Sequence, residues 1–309
     1  MDAPEFFSAY TCNGITYPET LEARMNTIRR KESLGNDVMR YVIDAPLVAM
    51  HRKPGQFVIV RVTDHGERIP LTVADADPER GTITLIVQAV GRTTREMALL
   101  QPGDALHDVV GPLGRPTHVR MFGSVLCAAG GIGAAPLYPI AKAMKDAGNQ
   151  VVTVLGARTR ELLILEDNLR AVSDRVIVTT DDGSQGLKGL VPDAVQSLVA
   201  EGNHFDQAVV IGPPLMMKFT SLLTKELGIP TIASLNPIMI DGTGMCGGCR
   251  VIVGGKTEFA CVDGPEFDAH QVDWDTLVRR LGTYREAERA SCERFEHECM
   301  IDTHGKESR

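Results

Sequence analysis

The stretch Val125-Leu126-Cys127-Ala128-Ala129-Gly130-Gly131-Ile132-Gly133-Ala134-Ala135-Pro136 is an unbroken apolar run that ends in closely spaced glycines and then a proline. An apolar run without polar alternation, bounded by turn residues, reads as a strand buried on both faces of a parallel sheet. The glycines after it let backbone approach a phosphate, and a helix opening there points its free amides at the anion. This is the context of a dinucleotide loop, with two departures from G-x-G-x-x-G/A. Pro136 stands where the third Gly or Ala is expected, and Gly156-Ala157-Arg158 ends the next strand where an acid is usual. Arg158 suits a 2'-phosphate, which leaves NAD and NADP both open. The uncharged segment Phe122 to Ala141 approaches membrane-spanning length. Its glycines and prolines fit strand, loop and helix better than a lipid-exposed helix.

Downstream of this loop, short buried-strand runs at Val151 to Leu155, Val176 to Thr179 and Ala208 to Ile211 alternate with helical stretches. Those stretches are Pro136 to Ala147, Leu162 to Val172, Pro192 to Glu201 and Leu215 to Leu227. The alternation predicts a parallel α/β domain over 121–230. Upstream, β-rich runs separated by turn glycines predict an antiparallel barrel over 23–120. Its strands are expected at Met25 to Arg30, Met39 to Ile43, Phe57 to Val62, Leu71 to Ala74 and Thr82 to Val90. Residues 1–22 show no clean period and read as an extension. Beyond 230 the glycines crowd around cysteines, predicting a small loop-built module over 231–275, followed by a helical tail over 276–309 that carries Cys292 and Cys299.

The chain of 309 residues is long enough for about two domains with appendages. A hydrophobic content of 43% and a charged content of 23% describe a globular protein. A net charge of -8 offers no footprint for nucleic acid. The N-terminus has no basic region of a signal peptide, so the cytoplasm is the expected compartment, with no membrane partner. Seven cysteines, three of them between Cys246 and Cys261, fit a metal site in a reducing compartment better than a disulfide framework.

Asp241-x4-Cys246-x2-Cys249, then x11 and Cys261, matches plant-type 2Fe-2S spacing at three of four positions, with Asp first. The chemistry needs four anionic donors around two irons, and Asp241 supplies a carboxylate oxygen. Structural zinc on the same donors is a rival reading, and Asp263 is an alternative fourth donor. Cys12, Cys127, Cys292 and Cys299 have no companion spacing and read as ordinary core or surface thiols.

Two further signals lie in the first half. Arg68-Ile69-Pro70-Leu71-Thr72 starts a strand where Arg can meet a pyrophosphate and a Thr hydroxyl a flavin ring. The strand Ile86-Val87-Gln88 then runs into Gly91-Arg92-Thr93-Thr94, a turn opening a helix expected at Arg95 to Leu100, whose start suits phosphate. Each also has an ordinary reading, an edge strand and a Thr N-cap. Asp181-Asp182-Gly183-Ser184 and Gly212-Pro213 follow later strands and are expected to border the crevice.

Taken in order, these motifs resemble the ferredoxin reductase-like flavoproteins over roughly Met25 to Asp273. Within them the chain is similar to the dihydroorotate dehydrogenase electron transfer subunit and to the small subunit of NADH-dependent reduced ferredoxin:NADP oxidoreductase. The resemblance implies an FAD site at Arg68, Pro70, Leu71, Thr72, Val87, Gln88, Gly91, Thr93 and Thr94. It implies an NAD(H) site at Gly130, Gly131, Gly133 and Pro136, bordered by Asp182, Gly212 and Pro213. It further implies a 2Fe-2S cluster on Asp241, Cys246, Cys249 and Cys261, the leading Asp favouring the second group, which includes the sulfide dehydrogenase subunit. The implied partner is a larger flavin and iron–sulfur subunit, with ferredoxin reached through the complex. The implied reaction passes hydride from NADH to flavin and single electrons onward through the cluster, with no acid, base or nucleophile among the side chains.

Overall fold

The computed structural model describes residues 9–12, 15–18, 25–35 and 37–306, and the surroundings of the side chains of 25–35 and 37–297. It opens with a small hairpin, β1 (Ala9–Cys12) against β2 (Ile15–Pro18), inside the segment read as a featureless extension. The side chains of Cys12 and Cys299 lie outside the described residues.

A six-stranded antiparallel sheet follows, ordered β3-β4-β7-β6-β5-β8. Its members are β3 (Ile28–Gly35), β4 (Val38–Asp44), β5 (Phe57–Arg61), β6 (Arg68–Asp77), β7 (Thr82–Gln88) and β8 (Asp108–Leu113), with α1 (Pro46–His51) and α2 (Arg92–Leu99) between them. A bridge from Thr27 to Ala105 ties the chain before β3 to the chain before β8 and closes the sheet into a barrel. Inside sit Ile28, Tyr41, Ile43, Val58, Val60, Val73, Ile83 and Leu85, from alternate positions of facing strands.

Three expectations shift here. β3 begins later than Met25 because Asn26 turns the chain with φ 64. It also runs past the expected end at Arg30, because the charges of Lys31 and Glu32 conceal its continuation to Gly35. α2 begins at Arg92 instead of Arg95: Gly91 is extended, and the Thr94 Oγ1 accepts the Gly91 N–H at 3.0 Å, so the helix starts as soon as the glycine is passed. β8 was not foreseen, its pattern being broken by Gly111 and Pro112.

The second sheet is ordered β12-β11-β10-β9-β13-β14-β17. It contains β9 (Ser124–Gly130), β10 (Gln150–Ala157), β11 (Arg175–Thr180), β12 (Leu187–Lys188), β13 (Gln207–Ile211) and β14 (Thr231–Ser234), all parallel. The helices α3 (Ala134–Asp146), α4 (Glu166–Val172), α5 (Val191–Ala200) and α6 (Pro214–Glu226) cover it. The chain winds from β9 to β10 and β11, then returns to β13 on the other side of β9. The C-terminal end of β9 is therefore the switch point where such sheets bind ligands. Cys127 is fully buried in β9, and burial pushes its thiol up to about 12, as expected of a core cysteine.

The last module has a hairpin, β15 (Arg250–Val253) with β16 (Lys256–Phe259), then β17 (Glu266–Asp268), α7 (Trp274–Leu281) and α8 (Arg285–Lys306). The expected tail is thus two helices, the first of which buries Trp274 and Leu277. β17 pairs antiparallel with β14, extending the nucleotide sheet with a strand from the module. One core runs through all three parts, from Phe57 and Ile59 of the barrel through Leu126 and Val154 to Cys249, Cys261 and Trp274.

Glu266 of β17 lies in this junction, its Oε1 accepting the Thr117 hydroxyl at 2.5 Å, and burial pushes its carboxyl up to about 7. The folded state therefore holds that proton more tightly than the unfolded chain does. Stability falls as pH rises from about 4.5 through 7 and is level above. Glu266→Gln should flatten that fall and raise stability near pH 8 by about 1–3 kcal/mol, measured as Tm against pH. An unchanged profile would show that Glu266 ionises normally.

Candidate cofactor cleft and four-donor loop

A cleft of about 810 Å³ opens where the three parts meet. The barrel contributes Pro70, Leu71 and Thr72 of β6, Val87 and Gln88 of β7, and Thr94 of α2. The nucleotide sheet contributes Gly130, Gly131, Gly133, Pro136, Gly212 and Pro213, and the last module contributes Met239 and Pro265. Arg158 and Asp181 line it as well. The glycine loop sits at the switch point, and α3 follows it at once, so Pro136 falls inside the first turn, where no helical N–H is needed.

Two of the loop glycines do different work. Gly133 packs against the β13 terminus: a Cβ there would run into the Ile211 carbonyl, with Gly212 Cα at 2.9 Å. Gly131 has φ 54 and nothing within 4 Å of the place a Cβ would occupy. That is a space a side chain would fill and a phosphate can enter. Gly91, before α2, opens onto free space in the same way.

Four expected residues do not line the cleft. Arg68 is drawn to Asp108, Nη2 to Oδ2 at 3.7 Å, beside the closer pair of Asp108 with Arg61 at 2.7 Å. Thr93 is buried and donates to Glu67 at 3.3 Å. Asp182 turns its carboxylate to the Ser184 N–H at 2.9 Å and hydroxyl at 2.6 Å. Gly91 itself is displaced in favour of its neighbours Val90 and Thr94. Sequence reasoning missed Phe57, Met216 and Phe219, which line the cleft from β5 and α6 and carry no motif that marks them.

The donor loop folds between the barrel and the nucleotide sheet. Gly242 has φ 77, and a Cβ on it would meet Leu113 Cδ1 at 2.7 Å and Ile59 Cγ1 at 2.8 Å, so the loop lies directly on β5 and β8. The Asp241 carboxylate accepts the Thr243 N–H at 3.0 Å and the Cys246 N–H at 2.9 Å. These bonds, the Thr243 one foremost, hold it below the usual carboxylate range, so Asp241 is an anionic oxygen donor. The Cys246 thiol also bonds this carboxylate. Opposite, the buried Cys249 thiol donates to Cys261 Sγ at 3.2 Å, and burial followed by this neighbour pushes Cys261 up to about 12. Asp241 lies within electrostatic reach of Cys261.

The donors thus form two pairs, Asp241 with Cys246 and Cys249 with Cys261. Among the described residues no three His, Cys, Asp or Glu side chains are grouped as ligands of one ion. Two pairs suit a group that carries two metal centres. Asp263 is engaged elsewhere: it accepts the Phe259 N–H at 2.9 Å and an Arg115 N–H at 3.1 Å.

Gly133→Ala should destabilise the chain by about 2–3 kcal/mol through overpacking, read in urea unfolding. Gly131→Ala should fold, at a cost of about 1 kcal/mol for the left-handed backbone, yet weaken NADH binding by about tenfold in titration calorimetry. Equal NADH affinity in Gly131→Ala would remove this loop from the phosphate site.

Three family models match in succession. They are the oxidoreductase FAD-binding domain over residues 26–118, the oxidoreductase NAD-binding domain over 128–222, and the iron-sulfur cluster binding domain of dihydroorotate dehydrogenase B over 236–273. A Thermotoga maritima protein described as a dihydroorotate dehydrogenase B (NAD(+)) electron transfer subunit homolog is 52% identical over 88% of this chain and 95% of its own. The electron transfer subunit itself from Desulforamulus reducens is 34% identical over 75% of this chain and 91% of its own. A chain solved in work on flavin-based electron bifurcation in the NADH-dependent reduced ferredoxin-NADP oxidoreductase superposes with a TM-score of 0.83. It is 52% identical, over 88% of this chain and 98% of that one. No described helix is long and apolar enough to cross a membrane. With its FAD-binding barrel, NAD-binding parallel sheet and iron–sulfur module in this order, the chain belongs to the family of dihydroorotate dehydrogenase B electron transfer subunits, oxidoreductase components that carry electrons between nicotinamide, flavin and iron–sulfur cluster.

Proposed function

We propose that the chain is the small subunit of an electron-bifurcating NADH-dependent reduced ferredoxin:NADP oxidoreductase, working in the cytoplasm with a larger flavin and iron–sulfur subunit. The observation that carries this reading is the shared lining of one cleft. Strand β6 with its Pro70-Leu71-Thr72 edge, the Gly130–Gly133 loop, and Met239 and Pro265 from either side of the donor loop all face it. Cofactors held by these three parts lie within one cleft and its wall, as relay between them requires.

In this reading Pro70, Leu71, Thr72, Val87, Gln88 and Thr94 hold FAD, with the start of α2 at Gly91 toward its phosphates. Gly130, Gly131, Gly133 and Pro136 hold NAD(H), bordered by Gly212 and Pro213. Arg68, Thr93 and Asp182 act from outside the cleft wall, through Asp108, Glu67 and Ser184. Asp241, Cys246, Cys249 and Cys261 hold a 2Fe-2S cluster. Bound flavin and cluster supply the conversion of a hydride into single electrons, while the chain positions them and excludes water. The three modules run over about 23–120, 121–230 and 231–275. The rim of the donor loop supports a partner there: Met245 is 88% exposed and Ile240 52%, an unusual display of apolar side chains around the exposed Cys246.

Asp241 in the first donor position, together with the bifurcating-enzyme match, favours this complex over a dihydroorotate dehydrogenase. The native complex, isolated without oxygen, should reduce NADP with NADH and reduced ferredoxin; turnover of dihydroorotate instead would overturn the assignment. Iron and acid-labile sulfide should each approach two per chain. Asp241→Ala should lose most of both, whereas Asp241→Cys should retain them with an altered paramagnetic signal after reduction. A colourless, zinc-loaded preparation would refute the cluster.

A further inference from the structure

We infer that α8 is a strap that holds the N-terminal half of α2, so that Phe295 and Glu296 position the helix start that faces the flavin phosphates. This rests on the proposed reading of α2 as a phosphate-binding helix.

The family matches end at residue 273, and α8 lies beyond them. It leaves α7 through the turn at Gly282, and its first residues, Arg285 to Arg289, are exposed. Its half-buried positions among the described side chains are Ala290, Ser291, Cys292 and Phe295, the last three on one helical face. Phe295 meets Arg92, whose guanidinium carbon lies 5.7 Å from the ring centroid, and Glu296 pairs with Arg95.

The two arginines explain why such a strap matters. α2 carries no acid in its first turn, so Arg92 and Arg95 sit at the end where the helix dipole is already positive. That charge favours an anionic ligand but disfavours the helix start itself. Glu96 offsets part of it, accepting from Arg92 Nε at 3.0 Å. α8 adds an aromatic face over Arg92 and a carboxylate at Arg95. The far half of α2 is anchored to the barrel: the Tyr41 hydroxyl donates to the Met97 carbonyl at 3.0 Å, and Lys31 Nζ to the Ala98 carbonyl at 2.6 Å. The near half has Thr93 against Glu67 and, from outside the barrel, α8.

Because ordering of α2 and ligand binding share one equilibrium, docking of α8 and FAD binding strengthen each other by the same factor. In the full-length chain, Phe295→Ala combined with Glu296→Lys should weaken FAD binding by about tenfold, read by flavin fluorescence, and speed amide exchange over 91–95. Iron and sulfide content should stay unchanged. Phe295→Tyr in place of Phe295→Ala should keep the contact with Arg92, and the swap Arg95→Glu with Glu296→Arg should restore slow exchange over 91–95. Unchanged exchange over 91–95 in the double variant overturns the strap. Faster exchange with unchanged FAD affinity overturns the coupling. Gly91→Val, whose side chain enters open space, tests the underlying reading separately: if it too leaves FAD affinity unchanged, the phosphate assignment of α2 is what has failed.

Discussion

The antiparallel ladder of β17 on β14, Ile232 to Asp268, Ala233 to Phe267 and Ser234 to Glu266, fixes where everything else can stand. It takes the open edge of the nucleotide sheet and closes it with a strand from the donor module, so the two cannot slide without breaking backbone bonds. Just before that strand, Arg115 of the barrel donates its backbone N–H to the Gly264 carbonyl, and its guanidinium to the Val262 carbonyl at 3.1 Å. The module is thereby clamped between sheet and barrel. A core continuous from Phe57 to Trp274 adds apolar burial to both contacts, so relative motion of the parts would expose surface that is now dry.

This rigidity is what a relay between cofactors demands. The cleft walls belong to three parts, and a shift of one by a few ångströms would pull apart the residues that line it together. Loops of the size and glycine content of 241–249 are seldom stiff by themselves. Here the loop is stiffened from below by Ile59 and Leu113 against Gly242, and from within by the Asp241 carboxylate holding two of its amides.

Much of this was legible in the sequence because the deciding signals are local. The apolar run before Gly130 announces β9, and the switch in period beyond it announces the parallel sheet. The donors Asp241, Cys246, Cys249 and Cys261 stand at spacings that a loop can bring together, and the structure sets them as two pairs, Asp241 with Cys246 and Cys249 with Cys261. What was not legible depends on tertiary contacts. The second half of β3 is masked by its charges, β8 by Gly111 and Pro112, and β17 is three residues long with no period of its own. Phe57 and Phe219 reach the cleft only because the barrel and α6 happen to face it. Arg68 was read as a ligand for phosphate, but Asp108 lies within ion-pair distance, and that pairing is set by β5 and β8. The role of α8 is invisible to spacing rules, since Phe295 and Arg92 lie two hundred residues apart.

The four donors are unlike in kind and in setting, and electrostatics ranks their two halves. Cys249 and Cys261 are buried, so negative charge placed on them meets little screening. Cys261 must also lose a proton that burial holds tightly, which makes occupation of this half depend on pH. Asp241 is already ionised by its amide bonds, and Cys246 is exposed beside it. Added negative charge is best tolerated in that outer half, where water and backbone N–H groups oppose it. It is also the half rimmed by exposed Ile240 and Met245. In the proposed cluster the inner pair would therefore set how firmly the metal group is held, and the outer pair would be the side suited to passing charge to a neighbour.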